Sequence, residues 1–351
     1  MQRTSPAMRP RDPNSRFGVD QVNVKTAHKT IGYLATGGTI SSTPASAGAG
    51  VTPSLTAEDL IAAAHPETDG VAFVAEQISQ LASSSFDFRL LRTLHGRVTH
   101  LAREGVDGIV ITQGTDTLEE TAFFFNSVWD RTTPVVLTGA MRNPGEIGAD
   151  GARNLRTAVA VASDPAFVGL GPLVVMNDEV FAAGAVRKAH TSAVDAFVST
   201  AGTAIGMVTE GTPRLFSTPR RSDPQRYGAG DPKVALYRCS LGDSDDILRM
   251  IEDGDFDGLV IEGFGGGHVP AWQMPTIERI AGRMPVVLSS RTGQGSVLER
   301  TYGFPGSETD LRRHGLVPSG TLNGLQARIL LWILLSRSAG PQEIREAYAA
   351  C

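Results

Sequence analysis

From residue 30 to residue 176 short apolar runs alternate with amphipathic stretches, and this alternation limits the possible folds more than any single motif does. Residues 30–35, 71–78, 108–112, 134–138 and 172–176 read as strands, and 56–64, 86–104, 117–129 and 148–162 as helices. Strands joined through helices call for a mainly parallel sheet, because a parallel neighbour is reached only by a connection long enough to cross a face of the sheet. Residues 212–231, with Thr212-Pro213-Arg214 and Thr218-Pro219-Arg220-Arg221-Ser222-Asp223-Pro224, are rich in turn formers and read as a linker. The alternation then resumes at 234–239, 244–252, 258–261, 274–281, 285–289 and 322–335. We therefore expect an α/β protein with a larger N-terminal domain over 30–211 and a smaller C-terminal α/β domain over 232–351. Residues 1–29 carry no apolar period and read as a disordered tail.

Composition excludes several classes of function. With 351 residues, 41% of them hydrophobic and 20% charged, the chain can bury two cores. A net charge of -5 gives no basic field for holding nucleic acid or an anionic membrane. Two cysteines, Cys239 and Cys351, offer neither a disulfide framework nor a zinc-ligand spacing, which fits a cytoplasmic protein. The first ten residues lack the apolar core of an export signal, and no run of 18 apolar residues is present. His95 and His100 lie five apart, a poor spacing for a metal pair on a helix, and Asp243, Asp245 and Asp246 read as the acidic start of a helix. We expect no metal.

Two strand ends carry chemistry. Ala35-Thr36-Gly37-Gly38-Thr39-Ile40 follows one apolar run, and Thr112-Gln113-Gly114-Thr115-Asp116-Thr117 follows another about 75 residues on. Each sets a threonine hydroxyl on a glycine-containing turn, at the end of a strand where ligands of parallel sheets gather. The first loop has neither the spaced glycines of a dinucleotide turn nor the Lys-Ser/Thr ending of a phosphate loop. Taken alone it also fits a tight turn with Thr39 as a helix cap.

Five segments together tip this reading. The two loops, the second running on to Thr121, are joined by Leu137-Thr138-Gly139-Ala140-Met141-Arg142, Val175-Met176-Asn177-Asp178-Glu179-Val180 and Pro318-Ser319-Gly320-Thr321-Leu322-Asn323. In this order the chain resembles the bacterial-type L-asparaginase family, which includes asparaginase-glutaminases. The resemblance implies hydrolysis of the side-chain amide of L-asparagine without metal or organic cofactor, in a homotetramer built from close dimers. It assigns Thr39, Thr115, Asp116 and Lys188 to catalysis, and Gly38, Ser83, Ser84, Gly114, Thr115, Asp116, Ala140 and Glu308 to substrate binding. Thr39 would attack the amide carbon, with Thr115, Lys188 and Asp116 activating water afterwards, since a threonine hydroxyl is a weak nucleophile until an oriented base takes its proton. Which threonine acts in which half-reaction stays open at this level. Glu308 matches the glutamate that the family reaches into the neighbouring subunit's site.

Two departures stand out. The segment 41–51 should carry a tyrosine over Thr39, yet it holds no aromatic residue and Gly50 stands at that place. Gly266 and His268 also stand where several members of the family carry asparagine. A binding protein without catalysis is the alternative that the missing tyrosine suggests.

Overall fold

The structure, a computed structural model, describes residues 29–46, 49–64 and 70–351. Apart from Lys29, the expected tail therefore lies outside the described residues. Lys29 itself opens the first strand, β1 (Lys29–Gly37), and its ammonium donates to Asp107 at 3.0 Å. A small hairpin, β2 (Ser42–Pro44) with β3 (Val51–Pro53), follows. The large domain continues through α1 (Ala57–Ala63), β4 (Val71–Leu81), α2 (Phe88–Arg103), β5 (Gly108–Thr112), α3 (Leu118–Val128), β6 (Val135–Thr138), α4 (Gly151–Ser163), β7 (Pro172–Met176) and β8 (Glu179–Ala182). It closes with a short ribbon, β9 (Val186–Lys188) and β10 (Phe197–Ser199), and the pair β11 (Gly206–Thr209) and β12 (Thr212–Leu215).

Eight of these strands form one sheet in the order β12-β11-β8-β7-β6-β5-β1-β4. The strands from β4 to β7 are parallel, and β8, β11 and β12 are antiparallel. The turn between β7 and β8 is made by Asn177 (φ 53°) and Asp178 (φ 64°), two residue types that tolerate the left-handed conformation such hairpins need. Segment 212–231 differs from the expected linker at its start: Thr212–Leu215 is the edge strand of the large sheet, where Pro213 is tolerated because an edge leaves one side unpaired. The chain leaves the sheet only after Leu215.

The smaller domain contains β13 (Val234–Arg238), α5 (Asp246–Asp253), β14 (Gly258–Gly263), α6 (Met274–Ala281), β15 (Val286–Ser290), α7 (Glu308–Arg313), β16 (Val317–Pro318), α8 (Gly324–Ser336) and α9 (Pro341–Ala349). Its four strands are all parallel, in the order β13-β14-β15-β16. Of the three aspartates, Asp246 opens α5 and Asp245 stands at its N-cap position with its side chain on Arg249, while Asp243 lies in the loop before the helix and accepts from Tyr237 and Ser240.

The helices follow from their apolar spacing. In α2, Asp87 caps the Leu90 amide and Leu91, Leu94, Val98 and Leu101 form one buried stripe. In α8 the apolar residues go all round, and the helix is buried accordingly. Its Trp332 stacks on Phe88 of α2 at 3.9 Å between ring centroids, so one hydrophobic core runs through both domains. An aromatic pair of this kind adds roughly 1 kcal/mol beyond the area it buries. Among the described residues no helix is long and apolar enough to cross a membrane.

Candidate active site

Register decides what meets at the carboxyl edge of the large sheet. Ala35 on β1 lies beside Thr112 on β5, and Thr112 beside Thr138 on β6, so the loops that follow these strands emerge side by side. Buried hydroxyls tie the strand ends together: Thr36 donates to the Thr112 carbonyl at 2.7 Å, Tyr33 and Thr112 share a hydrogen bond at 2.9 Å, and Thr138 donates to the Val175 carbonyl at 2.7 Å. Polar side chains in a fully buried strand are tolerated because each has found such a partner.

The first two loops touch through their glycines. Gly38 has φ 85°, and a Cβ placed on it would lie 2.2 Å from the Gly114 backbone, so only glycine allows the approach. Thr39 then opens a 3₁₀ turn, Thr39–Ser41, and is half-buried. The third loop lies against the second, with Gly139 close to the Gln113 carbonyl and to the Thr115 methyl. Asp150 fixes that third loop by accepting from the Met141 and Arg142 amides, and Ala140 is fully buried within it.

Thr115 is buried at the start of a second 3₁₀ turn, Thr115–Thr117, while the Asp116 side chain is 64% exposed. Lys188 arrives from β9, and its ammonium donates to the Thr115 hydroxyl and to the Asp116 carboxylate, each at 2.8 Å. One cation therefore joins a hydroxyl to a carboxylate that is open to solvent. The structure brings together Gly38, Thr39, Gly114, Thr115, Asp116, Ala140 and Lys188 at one edge. Ser83 joins them. It is buried, accepts the Asp116 amide at 3.1 Å through its hydroxyl and the Thr117 hydroxyl at 2.9 Å through its carbonyl, and so holds the Asp116 turn; Ser84 beside it is exposed.

Glu308 stands in the smaller domain. It opens α7 with its side chain fully buried, and one carboxylate oxygen accepts the Thr301 and Tyr302 amides at 2.8 and 2.7 Å. The other oxygen lies 3.2 Å from the His268 ring, whose edge-on neighbours are Tyr302 and Phe304. Burial acts to raise this carboxyl's pKa, but the backbone donors and His268 outweigh it and the net shift is downward. In this chain the carboxylate is engaged by its own surroundings and does not project outward. Gly266 belongs to the same unit: a Cβ there would come within 2.5 Å of Leu298, so an asparagine would collide with the side chain packed on it.

No tyrosine takes over Thr39. Four of the five hydroxyls are engaged elsewhere: Tyr33 with Thr112, Tyr227 with His95, Tyr237 with Asp243 and Gln273, and Tyr348 with the Ala327 carbonyl. Tyr302 packs against His268. Among the described residues, a Cβ on Gly50 would meet nothing within 4 Å. His95 is pushed down to about 4 by burial, and it sits among aromatic rings with its Nδ1 on the Tyr227 hydroxyl.

Sequence reasoning missed Glu119, whose carboxylate accepts the Lys188 backbone amide at 2.6 Å. It stood within the quoted second motif, but nothing in spacing says that a residue on α3 will find β9. A cavity of about 720 Å³ lies between the domains, lined by Asn126, Arg221, Glu343 and Cys351 among others; none of the site residues above borders it. Among the described residues no cluster of three His, Cys, Asp or Glu is placed to hold a metal ion.

A parallel sheet with its polar loops gathered at one edge, joined to a smaller parallel-sheet domain, puts the chain among two-domain α/β enzymes. Residues 30–221 match the family described as "Asparaginase, N-terminal" and residues 233–348 the family described as "Glutaminase/Asparaginase C-terminal domain". The chain is 37% identical over 323 residues to a protein of Deinococcus radiodurans named "Probable L-asparaginase", covering 91% of this chain and 96% of the relative. It is 34% identical over 328 residues to the "Glutaminase-asparaginase" of Pseudomonas aeruginosa, covering 90% and 88%. The crystal structure of the "Probable Cytoplasmic L-asparaginase" of Campylobacter jejuni superposes with a TM-score of 0.82 at 30% identity, over 92% of this chain and 100% of that one. The chain belongs to the asparaginase family of amidohydrolases.

Proposed function

We propose that this protein hydrolyses the side-chain amide of L-asparagine to L-aspartate and ammonia through a threonine acyl-enzyme, with weaker turnover of L-glutamine. The observation that carries the reading is the joining of Thr115, Lys188 and Asp116 through the Lys188 ammonium, next to the loop that bears Thr39. Thr39 attacks the amide carbon, the C–N bond breaks and ammonia leaves carrying the proton given up by the Thr39 hydroxyl. Water then attacks the Thr39 ester, its proton passes through the Thr115–Lys188–Asp116 group to the departing Thr39 oxygen, and aspartate is released. Lys188 acts by orienting the Thr115 hydroxyl and the Asp116 carboxylate, to both of which its ammonium donates. Backbone N–H groups around Thr39 and Thr115 stabilise the oxyanion in both steps.

Asp116, largely exposed, takes the substrate ammonium, and Ser84 with the Ser83 turn takes the carboxylate. Lack of a cofactor, a homotetramer of close dimers and a cytoplasmic location complete the reading. Two cysteines with no disulfide between them, one buried and one half-buried, support the location.

The absence of an aromatic residue from 41–51 favours a second reading, an amino-acid-binding relative without turnover. Ammonia release from L-asparagine and L-glutamine, measured for the parent, Thr39→Ala and Thr115→Ala with aspartate binding by calorimetry, separates the two. Turnover abolished in both variants supports the enzyme. Aspartate binding with no turnover in the parent supports the binding protein and rules out the first reading.

A further inference from the structure

The Lys188 backbone is held on one side by a carboxylate from α3. Lys188 ends β9, which pairs only with β10 in a two-stranded ribbon outside the eight-stranded sheet. The ribbon is only three residues deep, so it fixes its last residue weakly. The Lys188 amide donates to the Glu119 carboxylate at 2.6 Å, while the next amide, that of Ala189, returns to the Ala196 carbonyl at 2.7 Å. At its other end the same lysine reaches Thr115 and Asp116, which stand four and three residues before Glu119. One short stretch, from the 3₁₀ turn into the first turn of α3, therefore grips Lys188 by both backbone and ammonium.

Helix α8 of the smaller domain braces the approach to β9. The crevice beside Glu119 is lined by Glu120, Val186 and, from the start of α8, Asn323, Leu325 and Gln326. The Gln326 amide donates to the Gly184 carbonyl just before β9, and Asn323 and Gln326 cap one another. Burial raises the Glu119 carboxyl, against the pull of the Lys188 amide and the charges of Arg187 and Lys188, with Glu120 adding to the rise.

We propose that Glu119 is the positioning residue for Lys188: its carboxylate fixes the lysine backbone so that the ammonium reaches Thr115 and Asp116, with α8 of the smaller domain as the brace behind it. The proposal rests on Lys188 acting in the reaction. A displacement of the ammonium by an ångström is enough to cost on the order of 10- to 100-fold in rate.

The test uses the full chain as parent, Glu119→Ala, Glu119→Asp and Glu119→Gln. The expected result is a kcat for asparagine lowered about tenfold or more in Glu119→Ala, with KM within about threefold because substrate contacts are untouched. Glu119→Asp, too short to reach, falls in the same direction, and Glu119→Gln, which keeps an acceptor oxygen, returns to within about threefold of the parent. Lys188 is one of four lysines, with Lys25, Lys29 and Lys233, so its reaction with an amine-acylating reagent is readily followed by peptide mass spectrometry. Labelling should quicken severalfold at Lys188 in the alanine and aspartate variants and stay level at Lys233. The proposal is overturned by parental kcat in Glu119→Ala and Glu119→Asp, by a loss confined to KM, or by Glu119→Gln as impaired as Glu119→Ala. If the parent turns over no amide, the catalytic reading has failed, and the Lys188 labelling alone decides: unchanged rates then overturn the positioning role.

Discussion

Two carboxylates, Glu119 behind the threonine loops and Glu308 at the head of α7, both accept backbone amides yet are shifted in opposite directions. Glu119 has one amide donor, and burial prevails, raising its pKa. Glu308 has two amides from Thr301 and Tyr302 with His268 behind them, and these prevail over burial. Burial opposes the ionised form at both carboxylates, and more backbone donors are aimed at Glu308 than at Glu119 to offset it. The two regions differ in the same way as wholes. At the sheet edge a charged group is left facing outward on Asp116, whereas both Glu308 oxygens are turned to their own chain.

The strongest way to break this contrast is to compare Lys188→Met with Glu308→Gln in the ammonia assay. Lys188→Met should lower kcat by about a thousandfold, the scale of losing a member of a nucleophilic relay, and Glu308→Gln by less than about threefold. A Glu308→Gln loss as large as that of Lys188→Met would mean that the carboxylate leaves its in-chain partners to act at a site. Next in size is Gly38→Ala, which combines a left-handed φ with a 2.2 Å approach to Gly114. It should destabilise the protein by about 3 kcal/mol or more, read as a lowered urea midpoint. Parental stability there would show that the two loops need not touch.

Glu308→Ala, which leaves the Thr301 and Tyr302 amides without their acceptor, should cost about 2 kcal/mol in the same unfolding experiment. The smallest effects lie in the pH dependence, and the two carboxylates should show opposite signs. The lowered pKa of Glu308 gives stability that is present above the unfolded value, about 4.3, and is lost as pH falls through the folded one. Glu308→Gln should therefore have a shallower acid limb than the parent. The raised pKa of Glu119 favours the fold below the unfolded value, and that contribution is lost as pH rises through the folded one. Glu119→Gln should thus gain on the parent as pH increases from 4 toward 7, as urea midpoints across that range will show.

Much of this was legible in the chain itself. The alternation of apolar runs and amphipathic stretches determined the two parallel-sheet domains, because a buried parallel strand has to be apolar throughout and its crossover helix has to be amphipathic. Thr39, Thr115 and Asp116 were legible because each follows a strand end, and strand ends of a parallel sheet share one edge. Local pattern misjudged places where a distant partner intervened: Thr212–Leu215, with its proline, is an edge strand because β11 is there to pair with it. Only the tertiary structure decided that Ser83 holds the Asp116 turn, that Glu119 grips Lys188, and that Glu308 turns inward to Thr301, Tyr302 and His268. A residue's type fixes what it can donate or accept, whereas its partner is fixed by which groups the fold brings within hydrogen-bonding distance, and sequence separation carries no record of that distance.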